Sequence, residues 1–159
     1  MKRFFYSSTL IIVILFFSSC GRKIIMESTN WYGEQEYSIA KYLNKTEEDL
    51  TQLGLSGKLY LRNYLYFSNE TEAEMKITLS GEIFIQLGES KNKVSYEKVN
   101  VNEKVKMTYT YKQPDGVLAA QQTTKYWHQP TTKFTISKNA AFLTLEIDNQ
   151  KVIYEFFIE

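Results

Sequence analysis

The sequence predicts a mainly β protein: an antiparallel β-sandwich or small barrel of six to seven strands with an N-terminal helical segment. Three observations carry this. From Lys58 onward, apolar and polar residues alternate with a period of two, which a half-buried strand produces and a helix does not. Turn-forming residues interrupt the alternation, with connections short enough for antiparallel neighbours. Composition agrees, since the chain has 12 tyrosines and 10 phenylalanines against only 7 glycines and 2 prolines, which suits strands and not a disordered stalk.

The first element in order is not part of that domain. Met1-Lys2-Arg3 supplies positive charge, Phe4 to Phe17 an apolar run, and Ser18-Ser19-Cys20-Gly21 a string of small residues. This arrangement resembles the type II signal peptide of bacterial lipoproteins, with Phe17-Ser18-Ser19-Cys20 in place of the family's Leu-small-small-Cys. The resemblance implies that a diacylglyceryl group joins the thiol of Cys20, that cleavage precedes it, and that the new terminus often gains a further acyl chain such as palmitate. Two or three acyl chains hold a protein at a bilayer almost permanently, where one holds it marginally. An uncleaved membrane helix and an ordinary secretory signal are the competing readings; a spanning helix needs about 20 apolar residues, more than the run from Phe4 to Phe17 offers. Gly21, where inner-membrane lipoproteins often carry Asp, favours the outer membrane. Arg22 and Lys23, in place of an acidic export signal, favour a periplasm-facing domain. The implied location is the bacterial cell envelope.

Residues 20–29 read as a lipidated tether and residues 30–159 as a single domain. Losing residues 1–19, which include Lys2 and Arg3, turns 19 basic side chains into 17 against 18 acidic ones. With no basic stripe, nucleic acid is not expected as a partner. Cys20 is the only cysteine, so no disulfide is available and stability must come from packing.

Between Glu34 and Leu53 the sequence reads as one interrupted helix or two short ones, with Ile39, Leu43 and Leu50 near one face. Thr46 followed by Glu47-Glu48-Asp49 is a helix start, and Gly54 a stop. Leu59 to Phe67 is apolar or aromatic on both faces and is expected to lie centrally, its second face covered by the helix or another sheet. Met75, Ile77, Leu79, Gly81, Ile83, Ile85 and Leu87 form the buried parity of a long strand, with Gly81 at a bulge or bend. The alternation returns in Val105, Met107, Tyr109 and Tyr111, and again in Leu143, Leu145 and Ile147. Ser68-Asn69-Glu70, Gln113-Pro114-Asp115-Gly116 and Asp148-Asn149-Gln150 are the turns, the last closing a hairpin between 142–147 and 152–158.

Searches for chemistry return little. One histidine, His128, and no thiol beyond Cys20 exclude a zinc site of several His and Cys ligands, and no EF-hand loop or phosphate loop occurs; neither metal nor cofactor is expected. A hydrolase would need His128 beside a nucleophile such as Ser137 and an acid such as Asp148, but the Gly-x-Ser-x-Gly elbow is missing. No enzyme activity is expected. Aromatic side chains are what remains, because tyrosine and tryptophan bury large areas while keeping a polar tip. Tyr126 and Trp127, beside Pro130, are the candidate interaction surface.

Asn30-Trp31-Tyr32-Gly33 is similar over four residues to the Gly-x-Trp opening of lipocalin-type barrels. The glycine before Trp is missing, and helix-compatible sequence follows where a first long strand belongs, so lipocalin function is not carried over. The expected function is a membrane-anchored, non-enzymatic interaction or structural module with an envelope protein partner. The alternative is a carrier of an apolar small molecule or lipid in a barrel cavity, and an envelope hydrolase comes third.

Overall fold

The computed structural model describes residues 24–86 and 94–158; Cys20 and the signal-like segment lie outside them. Among the described residues the order is β1 (Thr29–Tyr37), α1 (Ile39–Leu43), α2 (Glu47–Gln52), β2 (Leu55–Phe67), β3 (Glu72–Gln86), β4 (Val94–Lys112), β5 (Asp115–Ala120), β6 (Thr131–Ile136), β7 (Phe142–Ile147) and β8 (Gln150–Phe157). The strands pair in sequence order, every pair antiparallel, and β8 returns to β1 through Trp31 opposite Phe156, closing the barrel. The mainly β, antiparallel class holds. The count of six to seven strands is corrected to eight, and closure selects the barrel over the sandwich.

The extra strand is β1, whose second half falls in the stretch assigned to helix. Residues 34–37 are extended because Trp31, Gly33 and Tyr37 fall on one parity and meet Leu65, Asn63 and Leu59 of β2. Those cross-strand contacts outweigh the weak helical spacing. Helix begins only at Ile39 and breaks at Asn44, whose left-handed backbone (φ 54°, ψ 50°) separates the two short helices. The second start is as expected: Thr46 Oγ1 accepts from the Asp49 N–H while Asp49 returns a bond to the Thr46 N–H, a reciprocal cap. Because α1 and α2 follow β1, the helices form a cap inserted between strands and not an N-terminal segment.

One parity of each strand fills the barrel. Ile77, Leu79, Ile83, Leu143 and Leu145 are each 0–1% exposed, and Trp31, Phe67, Met75, Phe134 and Tyr154 pack among them. The Gly81 region is a bend and not a bulge: pairing with β2 continues residue for residue from Lys58–Glu82 to Leu59–Gly81. At Gly57 (φ 131°) and Gly81 (φ 150°) an added Cβ would stand 2.1 Å from a carbonyl oxygen of the facing strand. Only glycine permits that approach, which lets the long strands coil tightly.

Closure also corrects the reading of Leu59 to Phe67. Leu59, Leu61, Asn63, Leu65 and Phe67 point inward, but no layer covers the other face, where Tyr66 is 40% exposed. Tyr32, Tyr64 and Phe157 contact one another there, with centroids 5.0 and 6.0 Å apart. Arg62 and Lys76 lie over the neighbouring rings. A barrel has one inside, so outward tyrosines cover one another and the stems of nearby cations.

The two barrel ends differ. At one end stand the β2–β3, β4–β5 and β6–β7 turns, crossed by residues 24–28: the Ile24 N–H donates to Gln113 Oε1, Met26 is buried, and the Ser28 N–H donates to the Phe67 carbonyl. This is the tether end, and the last residues of the expected spacer pack against the domain there. At the other end, the mouth, stand α1, the 121–130 loop and the Asp148-Asn149 turn, whose left-handed residues (φ 51° and 60°) make a two-residue hairpin link.

Candidate functional site

The mouth holds a recess of about 320 Å³. Its floor comes from inward positions of strands, Leu61 and Asn63 of β2 and Val152 of β8, together with Trp127. Tyr37, Lys41, Lys125, Tyr126, His128 and Asp148 form the wall. Within the 121–130 loop the Thr124 N–H donates to the Trp127 carbonyl and the Trp127 N–H to Thr124 Oγ1, and the indole is turned inward. Tyr126 and Trp127 therefore divide the role expected of them. Tyr126 stands half-buried on the rim, its ring edge-on to Tyr37 at 5.7 Å, while Trp127 is 4% exposed and belongs to the floor.

The recess joins residues whose polar atoms are unmatched. Trp127 Nε1 and Asn63 Oδ1 are buried with no hydrogen-bond partner among the described residues. Asn63 uses its other amide atom, Nδ2, as donor to the Tyr154 hydroxyl at 3.0 Å. Both atoms are closed off from solvent, so they lie beneath the surface of the recess, and leaving them unmatched carries a desolvation cost. Burial raises the Tyr37 and Tyr126 hydroxyls above their ordinary pKa, with the neighbouring Tyr42 and the inward Glu103 adding to the effect on Tyr126. Both therefore stay protonated at neutral pH and remain able to donate. Lys41 and Lys125 lie over the Tyr37 and Tyr126 rings.

His128 and Asp148, considered above as hydrolase partners, do meet: His128 Nε2 lies 2.9 and 3.1 Å from the two Asp148 oxygens, and the Gln129 side-chain amide donates to Oδ1. Hydrogen bonds from His128 and then Gln129 hold the Asp148 carboxyl below its ordinary value. Ser137 is not aligned with them. Its hydroxyl donates to Asn139 Oδ1 and accepts from the Phe142 N–H inside the β6–β7 turn, at the tether end. The pair thus ties the 121–130 loop to the β7–β8 turn.

Asn63 and Glu103 escaped the sequence reading. Each breaks an inward run, Leu59-Leu61-Asn63-Leu65-Phe67 and Val99-Val101-Glu103-Val105-Met107, and a polar residue at a buried parity is the signal that finds them. Among the described residues no cluster of three or more His, Cys, Asp or Glu side chains is placed to hold a metal, and no helix is long and apolar enough to cross a membrane. A larger depression of about 810 Å³ lies outside β1–β4, but it is an open saddle whose Arg62 is already engaged by Glu34 and Ser80.

Fold and site together define a closed eight-stranded antiparallel barrel with an apolar, side-chain-filled interior and a polar-aromatic recess at one mouth. Comparison of the chain with protein-family models, curated proteins and solved structures finds no match in any of the three.

Proposed function

We propose that the protein is a lipid-anchored, non-enzymatic interaction module of the bacterial envelope, held through acylated Cys20, probing a partner protein with the mouth recess. The observation that carries this reading is the recess at the mouth, whose wall sets the Tyr37 and Tyr126 rings among Lys41, Lys125 and His128. The exposed ammonium groups of Lys41 and Lys125 are donors that backbone carbonyls accept from, so a backbone segment of a partner suits the recess. Tyr126 on the rim supplies aromatic area with a donor at its tip, the residue type that dominates protein interfaces. The carrier alternative draws no support from the interior, because Ile77, Leu79, Ile83, Leu143 and Leu145 fill it.

In-cell photo-crosslinking of the full-length protein tests this. A photoreactive residue at exposed Lys125, on the recess wall, is expected to capture one stoichiometric protein, while the same residue at Lys104, on the barrel flank, does not. The capture should be lost in Tyr126→Ala, which removes the ring from the rim. Equal capture from both positions, or capture unchanged by Tyr126→Ala, would reject the mouth as the contact.

A further inference from the structure

The lipid-anchored reading puts a membrane near Cys20, and the structure shows which part of the barrel must face it. Ile24 is four residues beyond Cys20, and four residues of chain reach at most about 14 Å in any conformation. Ile24 is fixed to the tether end by its bond to Gln113, and Met26 is plugged into the barrel bottom. The nine residues of β1 rise about 3.3 Å each, so even at a strand tilt of about 40° the mouth stands on the order of 20 Å above that end. The tether is too short to bring the mouth to the bilayer.

The surface so presented is apolar. Ile25 (69% exposed), Phe142 (43%), Phe156 (42%) and Ile158 (83%) all lie at the tether end, and Tyr66 (40%) sits on its flank. Ile25 adjoins the Met26 plug in the chain, and Phe156 joins it through Trp31. Phe156 packs edge-on against Trp31 at 5.4 Å, Trp31 Nε1 donates to Thr29 Oγ1, and Thr29 Oγ1 donates to the Met26 carbonyl. The other exposed large apolar residues, Leu53, Phe84, Tyr96 and Ile153, lie towards the mouth or on the side of β8 and do not join this rim.

We infer that the tether end of the barrel, through Ile25, Phe142, Phe156 and Ile158, docks on the bilayer that holds the Cys20 lipid and so points the mouth recess away from the membrane. This rests on the lipid-anchored reading. Apolar side chains at the interface add to the partitioning of the acyl chains, and a rim on a folded end fixes orientation where acyl chains alone permit tumbling. Exposed Glu27, Glu70, Glu72, Asp115 and Glu155 share this end with exposed Lys112 and Lys138, and such charges hold the contact at headgroup depth. Charged outward positions such as Arg62, Lys76 and Lys104 rule out deeper insertion of the barrel wall, whose outside would have to be apolar to span a bilayer.

Full-length protein expressed in its own membrane, purified and returned to phosphatidylcholine vesicles, tests the inference. Because an acylated Cys20 leaves no other thiol, nitroxides at Ile158→Cys and, separately, Leu53→Cys report the two ends, and both positions are exposed enough to accept a label without disturbing the core. The expected result is a severalfold higher ratio of oxygen to aqueous nickel accessibility at 158 than at 53. A second variant, Ile25→Glu with Phe156→Glu, should still float with the vesicles but lose that difference. Equal, aqueous ratios at 158 and 53 in protein that floats would overturn the docking while leaving the anchor intact. Protein that fails to float, with an unmodified Cys20 in the intact mass, would overturn the anchor and the docking together.

Discussion

Asn63 Nδ2 donates to the Tyr154 hydroxyl at 3.0 Å, joining β2 to β8 across the inside of the barrel between residues 91 positions apart. Tyr154 is fully buried and has room for its ring because β1 carries glycine at position 33, where a Cβ would come within 2.9 Å of it. Burial drives the tyrosine pKa far up, so the hydroxyl stays protonated throughout the range in which the protein folds.

Removing one partner of this bond should cost more than removing both. Tyr154→Phe leaves the Asn63 amide buried with no partner on either side, a loss of about 1–3 kcal/mol. Adding Asn63→Leu to it should recover most of that loss. Urea unfolding of the two single variants and the double variant measures the coupling, and simple additivity would show that the bond contributes nothing of its own.

Gly81→Ala should be among the most damaging single-carbon additions. The new Cβ would lie 2.1 Å from the Lys58 carbonyl oxygen, on backbone that cannot yield, at φ 150°. A loss of at least about 2 kcal/mol is expected. Gly33→Ala meets only the Tyr154 ring, which can shift, and should cost less. Midpoints of thermal unfolding for the two variants give the order.

The α2 cap should respond to both mutation and pH. Thr46→Ala is expected to cost about 1 kcal/mol and to speed amide exchange at Asp49 and Leu50 selectively. The Asp49 carboxyl is held below its ordinary value of 3.8, first by the bond from the Thr46 N–H. A carboxyl depressed in the folded state stabilises above its unfolded value and loses that effect as pH falls through the folded one. Helix α2 should therefore fray on acidification below about pH 4, and Asp49→Asn should abolish the pH dependence.

His128→Ala should raise the Asp148 titration midpoint towards that of an ordinary carboxylate, and Gln129→Ala should raise it less, because the His128 bond is the larger influence. Carboxyl carbon shifts followed by NMR during a pH titration read this directly. An unmoved midpoint in His128→Ala would mean that the 2.9 Å contact is not populated in solution.

Much of this was readable in the sequence because it is local. The parity of Met75-Ile77-Leu79 and of Leu143-Leu145, the Thr46 cap and the Asp148-Asn149 turn each depend on neighbours within a few residues. The second half of β1 was hidden because Glu34, Gln35 and Glu36 suit a helix as well as an exposed strand, and pairing with β2 decides between them. The recess was half visible: Tyr126 and Trp127 stood out as aromatics by a loop, but Asn63 becomes a site residue only where β2 curls under that loop.

By itself, the sequence determined which side of β3 and β7 is greasy, where the chain turns after β2, β4 and β7 and where α2 begins, since these follow from periodicity and capping over short spans. Tertiary structure alone decided that the sheet closes through Trp31 and Phe156, that one face of β2 stays open to solvent, and that Tyr126, Asn63 and Asp148 share a mouth opposite Met26 and Ile25. The physical reason is that alternation distinguishes inside from outside but carries no information about which distant edge completes the pairing, and that choice is made by packing among residues more than a hundred positions apart.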